Sequence, residues 1–283
     1  MHSSFSIQKL CSLLDVSRSA FYAWRNRPRS HRHRQNQSLA IAIQKTFLQK
    51  RRLYGARRLT AQLHLQGFSC GHNRVARLMR VLGLKAQQKA RFRYPKNSAP
   101  AKNKLIPPNL LASLPAPTAA NQIWVADITY LRSGQGWLYL AALMDLFSRK
   151  IVGWQLQDHL QTPLPLQALA DAQQTRRAKP GLLHHSDRGC QYASASYQQQ
   201  LLSYGFTPSM SRPGCCHDNA AMESFWSSLK SELDLKRKPF TNLAQAQRAL
   251  FDYIEIFYNR QRLHSSLNYL SPLSYEQKHL SFQ

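Results

Sequence analysis

An α/β domain built on a mixed sheet and preceded by all-α modules is predicted by three observations. Apolar residues recur at helical spacing as far as residue 84. Six of the fourteen prolines then fall between Lys85 and Gln122, and beyond Gln122 strand-length runs of β-branched and aromatic residues give way to alternating helix and strand. The predicted segments are 1–36 and 37–84 (helical modules), 85–121 (a basic, proline-rich linker), 122–238 (the α/β core) and 239–283 (a helical extension).

In the first module Ile7, Leu10, Cys11, Leu13 and Leu14 line one side of a short helix, and Asp15 and Val16 make a tight connection. Ser17 can cap a second helix through SRSAFYAWRNR, with Phe21 and Trp24 available for a core. The pattern is that of a helix-turn-helix, which would gather Arg18, Tyr22 and Arg25 on one side. His31 and His33 are read as part of a basic loop. The second module comprises a helix from about Gln37 to Gln49, then YGARRLTAQLHLQGF, a turn from Gly67 to Gly71, and HNRVARLMRVLGL. In the last of these Val75, Leu78, Met79 and Leu82 form the buried stripe, while Arg74, Arg77 and Arg80 fall mainly off it.

After the linker, IWVADITYL, WLYLAALMD and IVGWQLQ read as three antiparallel strands joined at SGQG and LFSRK. A helix from about Pro163 to Gln174 follows, then the short buried strand PGLLHHSD, the helix SASYQQQLLSYG, the strand FTPSMS and a long helix from near Asn219. Three antiparallel strands followed by helix and strand in alternation make a mixed sheet of the ribonuclease-H type.

Charge indicates what such a chain would handle. Its formal net charge is +26, and residues 1–120 hold 23 of the 39 basic residues with Asp15 as their sole acid. Self-repulsion of that size is tolerated mainly where a polyanion is the partner, so the helical modules and linker are expected to lie on DNA. No apolar run approaches a membrane span and no secretory or lipidation signal is visible, so a cytoplasmic, nucleoid-associated protein is expected. Five cysteines without a C-x-x-C pair argue against a disulfide framework and a structural zinc site, the adjacent Cys215, Cys216 and His217 included.

Asp127, Asp187 and Glu223 each lie inside a segment that reads as core, where an isolated carboxylate is costly unless a cation meets it. Asp127 falls mid-strand, Asp187 at the end of a neighbouring parallel strand, and Glu223 on the helix crossing their edge; Lys230 follows two turns later, where it could hold a phosphate. Hard carboxylate oxygens suit Mg²⁺, and two such ions are expected, with Mn²⁺ as a substitute. Asp127 would bridge them while Asp187 and Glu223 hold one each. Hydrolysis or exchange of a phosphodiester needs fixed positive charge of that kind. Asp145 is read instead as capping a turn through Ser148 or nearby amides, and Asp218 and Asn219 as capping the glutamate helix. Asp158, Asp171, Glu232, Asp234, Asp252, Glu255 and Glu276 are read as solvated surface, and His184 and His185 as strand residues without a chemical role.

WVADITYL, MDLFSRKIVGW, HHSDRGCQYAS, DNAAMESFWSSLKSE and YNRQRLHSSLNYLSP, in that order, resemble the integrase-core (DDE) transposases of bacterial insertion sequences, specifically OrfB of the IS-three family. The resemblance covers nearly the whole chain. It implies that Asp127, Asp187 and Glu223 are the catalytic triad and Lys230 the basic residue that follows it. It also implies cleavage at terminal inverted repeats, strand joining by the freed 3′-hydroxyl, often through a circular intermediate, and fusion to an upstream OrfA product by frameshifting. Two coordinated cuts imply a dimer or larger on DNA. Asp15 stands where such modules often have glycine, and Cys215, Cys216 and His217 replace a commoner small or polar triplet.

Tyr258, Asn259, Arg260, Arg262 and His264 close a long helix. Arg260 and Arg262 are carried as DNA contacts, against the alternative of a helix end tied down by its own hydrogen bonds. Three other functions compete with a transposase. A tyrosine or serine recombinase would pass through a covalent protein–DNA bond, a DNA-binding regulator would leave the carboxylates idle, and a stand-alone ribonuclease H would leave the basic half unexplained.

Overall fold

The computed structural model describes residues 6–28, 30–87, 106–212 and 219–280. The linker between 88 and 105, and the expectations for Cys215, Cys216, His217 and Asp218, lie outside the described residues. Contacts divide the chain into Met1–Ala86 and Gln87–Gln283.

The first unit is helical throughout: α1 (Ile7–Leu13), α2 (Arg18–Arg25), α3 (His31–Gln49), α4 (Ala56–Leu65) and α5 (His72–Val81). Ser6, Ser17 and Ser30 each accept a hydrogen bond from the backbone amide three residues on, and so start α1, α2 and α3. The Ser30 cap begins α3 well ahead of Gln37, which puts His31 and His33 on a helix and not in a loop; the polar run HRHRQNQ has no apolar stripe to announce it. Asp15 adopts a left-handed backbone with φ 52°, which explains why glycine suits that position. Leu39, Ile43 and Phe47 of α3, Leu59 and Leu63 of α4, and Val75, Leu78 and Met79 of α5 are buried. In α1 and α2 only Cys11 is buried, and Trp24, expected in a core, is 72% exposed. Helices of seven and eight residues offer each other too narrow a strip to enclose an indole.

The second unit is ribonuclease-H-like. Strands β1 (Ile123–Ser133), β2 (Gly136–Asp145) and β3 (Ile151–Gln157) form an antiparallel meander, followed by α6 (Pro163–Arg176), β4 (Leu183–Ser186), α7 (Ala195–Ser203), β5 (Thr207–Met210) and α8 (Ala220–Glu232). The sheet order is β3-β2-β1-β4-β5, with β4 parallel to β1 and β5 parallel to β4. Trp124 and Ala126 of β1 pack with Leu164, Ala168 and Leu169 of α6 and with Tyr197 and Leu201 of α7. Gly153 allows α6 to press on β3, because a Cβ there would stand 2.3 Å from the Ala168 carbonyl oxygen. His184 is buried against the Tyr197 hydroxyl at 3.0 Å, and burial draws its pKa down to about 3; His185 sits between the hydroxyls of Ser209 and Ser211. Both serve as hydrogen-bonding groups of the core.

The C-terminal segment is α9 (Leu243–Phe251), a π-helical turn over Asp252–Tyr258, and α10 (Pro272–Leu280). It covers the free edge of the sheet. Asn259 accepts from the Ile151 amide and donates to the Ile151 carbonyl, extending the ladder of β3 by one side chain, while Trp154 donates its indole N–H to Glu255. Glu276, expected on the surface, is 5% exposed and bonded to Arg176, Lys150 and Ser148. Asp145 caps its turn through the Phe147 amide and also accepts from the Asn121 amide, whereas Ser148 turns to Glu276. Among the described residues no helix is long and apolar enough to cross a membrane.

Arg262, expected on DNA, is spent inside the protein. Its guanidinium donates to both Glu232 oxygens and to Ser228 Oγ on α8, and Tyr253 donates to the same glutamate, which corrects the surface reading of Glu232 as well. Arg260 remains exposed. Arg262→Ala strands the largely enclosed Glu232 carboxylate, 11% exposed, and is expected to lower unfolding free energy by about 3 kcal/mol, against less than about 0.5 kcal/mol for Arg260→Ala. Urea titration of the two variants decides, and equal small losses would return Arg262 to the surface.

Candidate active site

Ala126 and Ser186 are the last parallel pair between β1 and β4. Asp127 and Asp187 are the next residues on those neighbouring strands, whose backbones run about 4.8 Å apart. Two carboxylates are therefore placed side by side at the carboxyl end of β4. Asp127 Oδ1 accepts from the Ile128 amide at 2.8 Å and Oδ2 from the Trp226 indole N–H at 2.8 Å. Asp187 Oδ1 accepts from the Gly189 amide at 2.9 Å, and Arg188 donates to the Ser211 carbonyl at 2.7 Å, which fixes the loop leaving β4.

Helix α8 crosses this edge. Asn219, expected to cap it, occupies the N-cap position without capping; its Nδ2 donates instead to the Ala126 carbonyl at 3.1 Å, beside Asp127. Among the described residues its Oδ1 is buried without a hydrogen-bond partner. Glu223 lies in the first turn, where the helix dipole favours a carboxylate, and is exposed. Trp226 and Lys230 follow at three and seven residues on, and Lys230 is 4% exposed.

The charges are mutually felt. Burial, then the neighbouring charge of Asp187, push the Asp127 pKa up to about 7; the Trp226 and Ile128 hydrogen bonds pull the other way, and Glu223 adds to the rise. Burial likewise raises Asp187, opposed by the Gly189 amide. Burial draws Lys230 down to about 8 while Asp127 works to keep it charged. Desolvation and like charge thus oppose ionisation of the pair, and a cation relieves both. Two acidic oxygens at one strand edge fit a hard divalent ion. Among the described residues no group of three or more His, Cys, Asp or Glu side chains gathers closely enough to hold a metal, although the charge of Glu223 is felt at Asp127.

An integrase core domain matches residues 117–216, a second integrase core domain residues 204–272, and an HTH-like domain residues 34–92. The chain is 42% identical over 270 residues to the 31 kDa protein of insertion element IS600 from Shigella sonnei, covering 95% of this chain and 98% of that one. It is 39% identical over 282 residues to transposase InsF for insertion sequence IS3A from Escherichia coli K12, covering 98% and 96%. The chain belongs to the integrase-core transposases of the IS3 family. The HTLV-2 integrase catalytic core domain, solved in complex with magnesium, is 18% identical to it, covering 56% of this chain and 98% of that one at a TM-score of 0.42.

The other residues expected to bind DNA in this IS3-family transposase lie in the helical unit. Arg18, Tyr22 and Arg25, spaced on one side of α2, are exposed, as are Arg77 and Arg80 on α5. Arg74 is half-buried and donates to Asn36 Oδ1 at 2.8 Å, joining α5 to α3. Trp226 and Asn219 are the site residues that sequence reasoning missed as such. Trp226 has the helical spacing of a core residue, and its only other signal is an N–H that a buried indole must satisfy.

Because the folded state holds its Asp127 proton up to about pH 7 and the unfolded chain releases it near 3.8, this group's contribution to stability is complete below pH 3.8 and declines as pH rises toward 7. The stability of the wild type relative to Asp127→Asn should accordingly fall by more than about 1 kcal/mol across that range. Urea unfolding of both proteins at matched ionic strength measures it. A difference that does not vary with pH would mean that Asp127 is ionised throughout.

Proposed function

We propose that this transposase binds the terminal inverted repeats of an insertion sequence and carries out Mg²⁺-dependent strand cleavage followed by strand transfer through the freed 3′-hydroxyl. The observation that carries this reading is the pair Asp127 and Asp187, side by side at a strand edge with burial and like charge raising the Asp127 pKa. Asp127, Asp187 and Glu223 would hold two ions, with Glu223 supplied from the first turn of α8. When bound, Mg²⁺ supplies fixed positive charge opposite the phosphate and lowers the pKa of the attacking water or 3′-hydroxyl.

The chain's own side chains do the rest. Trp226 and the Ile128 amide hold the Asp127 carboxylate in one orientation, and the Gly189 amide does so for Asp187, so neither must be reorganised as charge builds on the phosphate. Lys230 brings an ammonium to the same edge, where it offsets the oxygens of the DNA strand. Neither carboxylate attacks phosphorus, so no protein–DNA bond forms. Residues 1–120, with 23 basic side chains, grip the repeat, and a dimer or larger assembly coordinates the two ends. An upstream OrfA product, joined by frameshifting, is the expected partner.

Incubation with the element's terminal DNA and Mg²⁺, with the nicked strand mapped, tests the reading. Asp127→Asn should abolish nicking by at least about 10³-fold while DNA binding persists, and continued nicking by that variant would overturn the assignment. Mg²⁺ should raise the unfolding temperature of the wild type but not of Asp127→Asn. The ion must displace the Asp127 proton below about pH 7, so its apparent affinity should weaken as pH falls. DNA affinity should drop by about 10³-fold or more between 50 and 200 mM salt, and salt-insensitive binding would contradict the role given to residues 1–120.

A further inference from the structure

The segment that leaves α8 carries three consecutive cations, Lys236, Arg237 and Lys238, all exposed. Its backbone is pinned on both sides of them. Asp234 takes a left-handed conformation with φ 53° and donates its amide to the Ser231 carbonyl at 3.1 Å, while the amide of the buried Leu235 reaches back to the Lys230 carbonyl at 3.0 Å, which stops the helix. The Arg237 and Lys238 amides both donate to the Asp234 carbonyl, at 3.0 and 2.9 Å, and Phe240 is buried just beyond. Gln87 Nε2 donates to the Ser231 carbonyl as well, at 2.8 Å. The carbonyls that end α8 at Lys230 and Ser231 are thus met by amides and need none of the three cations. Asp234 is the sole acid from Leu233 to Phe240. Among the described residues neither it nor Lys236, Arg237 or Lys238 forms an ion pair.

The register of the sheet places this segment relative to the carboxylates. β2 pairs with β1 from Trp124 to Ser133, but on the other side of β1 the parallel partner β4 stops at Ala126, opposite Ser186. Phe240 takes up that same vacated edge at Ser133, in a parallel bridge closed by the Gly134 amide on the Phe240 carbonyl at 2.7 Å. A Cβ on Gly134 would stand 3.1 Å from the Thr241 carbonyl oxygen, so glycine keeps the approach close. Asp127 therefore lies at one end of this edge and the basic segment at the other. Six residues separate Asp127 from Ser133, about 20 Å of strand. Their even spacing puts both on one side of the sheet, the side on which Trp226 of α8 meets Asp127.

We propose that Lys236, Arg237 and Lys238 clamp the phosphates of duplex DNA about six base pairs from the cut, since each strand of a duplex advances about 3.4 Å per pair. Contacts to phosphate position a duplex without reading its sequence, which suits a segment whose exposed side chains are cations. The clamp rests on the reading of Asp127 and Asp187 given above and deepens it: the catalytic unit holds a length of DNA itself, in addition to the grip of residues 1–120. The same chemistry serves three lengths of duplex, namely the terminal repeat, the flank beyond the cut and the target, and the test separates them.

The test uses the full-length protein, a duplex of the element's own terminal sequence with the nick mapped, and a variant combining Lys236→Gln, Arg237→Gln and Lys238→Gln. The slope of log affinity against log salt should become shallower by about 2–3 in that variant, with its unfolding temperature unchanged because the pinned backbone is untouched. Lys236→Arg combined with Lys238→Arg keeps the charge and should keep the slope. The duplex is then shortened on one side of the nick at a time, and target duplexes are shortened likewise in the joining of precut ends. Cutting the relevant arm to fewer than about six pairs should weaken binding or joining by the wild type and leave the glutamine variant indifferent. The arm that matters identifies repeat, flank or target. An unchanged salt slope in the glutamine variant would overturn the clamp, as would equal sensitivity of wild type and variant to every shortened arm. Loss of affinity in the arginine variant would also overturn it, because packing and not charge would then be at stake. Asp127→Asn should keep the wild-type slope, so the readouts are separate: a wild type that nicks normally alongside an unchanged variant slope removes the clamp and leaves the proposed function standing.

Discussion

Two carboxylates placed on adjacent parallel strands repel each other and lose water together, and this single electrostatic conflict organises the second unit. The strand pairing that brings them together is stabilised by apolar burial on both faces of β1, so the sheet imposes the juxtaposition whether or not the charges favour it. Relief comes from donors aimed at the oxygens: the Trp226 indole and Ile128 amide for Asp127, and the Gly189 amide for Asp187. The remaining imbalance appears as a proton retained to about pH 7 on Asp127. A cation between the two carboxylates would relieve both the repulsion and the lost hydration.

The donor from Trp226 is only as well placed as α8, and α8 is fastened at both ends. At its start the Asn219 amide reaches the Ala126 carbonyl, one residue from Asp127. At its finish Arg262 grips Glu232 and Ser228, with Tyr253 closing on the same glutamate. The segment beyond residue 239 thus acts on the site without touching it, by fixing the helix that bears Glu223, Trp226 and Lys230. It also covers the edge strand β3 through Asn259 and Glu255, and a buried cluster of Arg176, Asp145, Glu276 and Lys150 ties α10 to the end of β2.

The legible parts of the molecule were those with a local cause. β1, β2 and β3 declare themselves by β-branched and aromatic runs, and Asp127 and Asp187 are conspicuous because apolar flanks make a carboxylate expensive. The start of α3 depends on one hydroxyl, that of Ser30, ahead of a run with no apolar stripe, and so was placed too late. Arg262, Glu232 and Glu276 were misread because the destination of a long charged side chain depends on a partner far away in the chain: Glu232 lies 30 residues before Arg262, and Arg176 lies 100 before Glu276. Trp24 erred in the other direction. Helical spacing marks an apolar face, but whether anything covers that face is a tertiary matter, and α1 and α2 leave theirs open among the described residues.

Lys230 illustrates how burial changes what a cation contributes. On the helix surface it would be a solvated contact for phosphate; buried near Asp127 it is a counter-charge already resident in the site, held by the aspartate against the desolvation that draws its pKa to about 8. Lysine suits this place better than arginine. A guanidinium stays charged at every accessible pH and would lock onto the carboxylate bidentately, competing with an incoming ion for both oxygens. An ammonium presents one compact charge on a flexible stem, with no planar pair to break. The same reasoning explains why Arg262, whose task is to stay fixed on Glu232, is the residue with the fork.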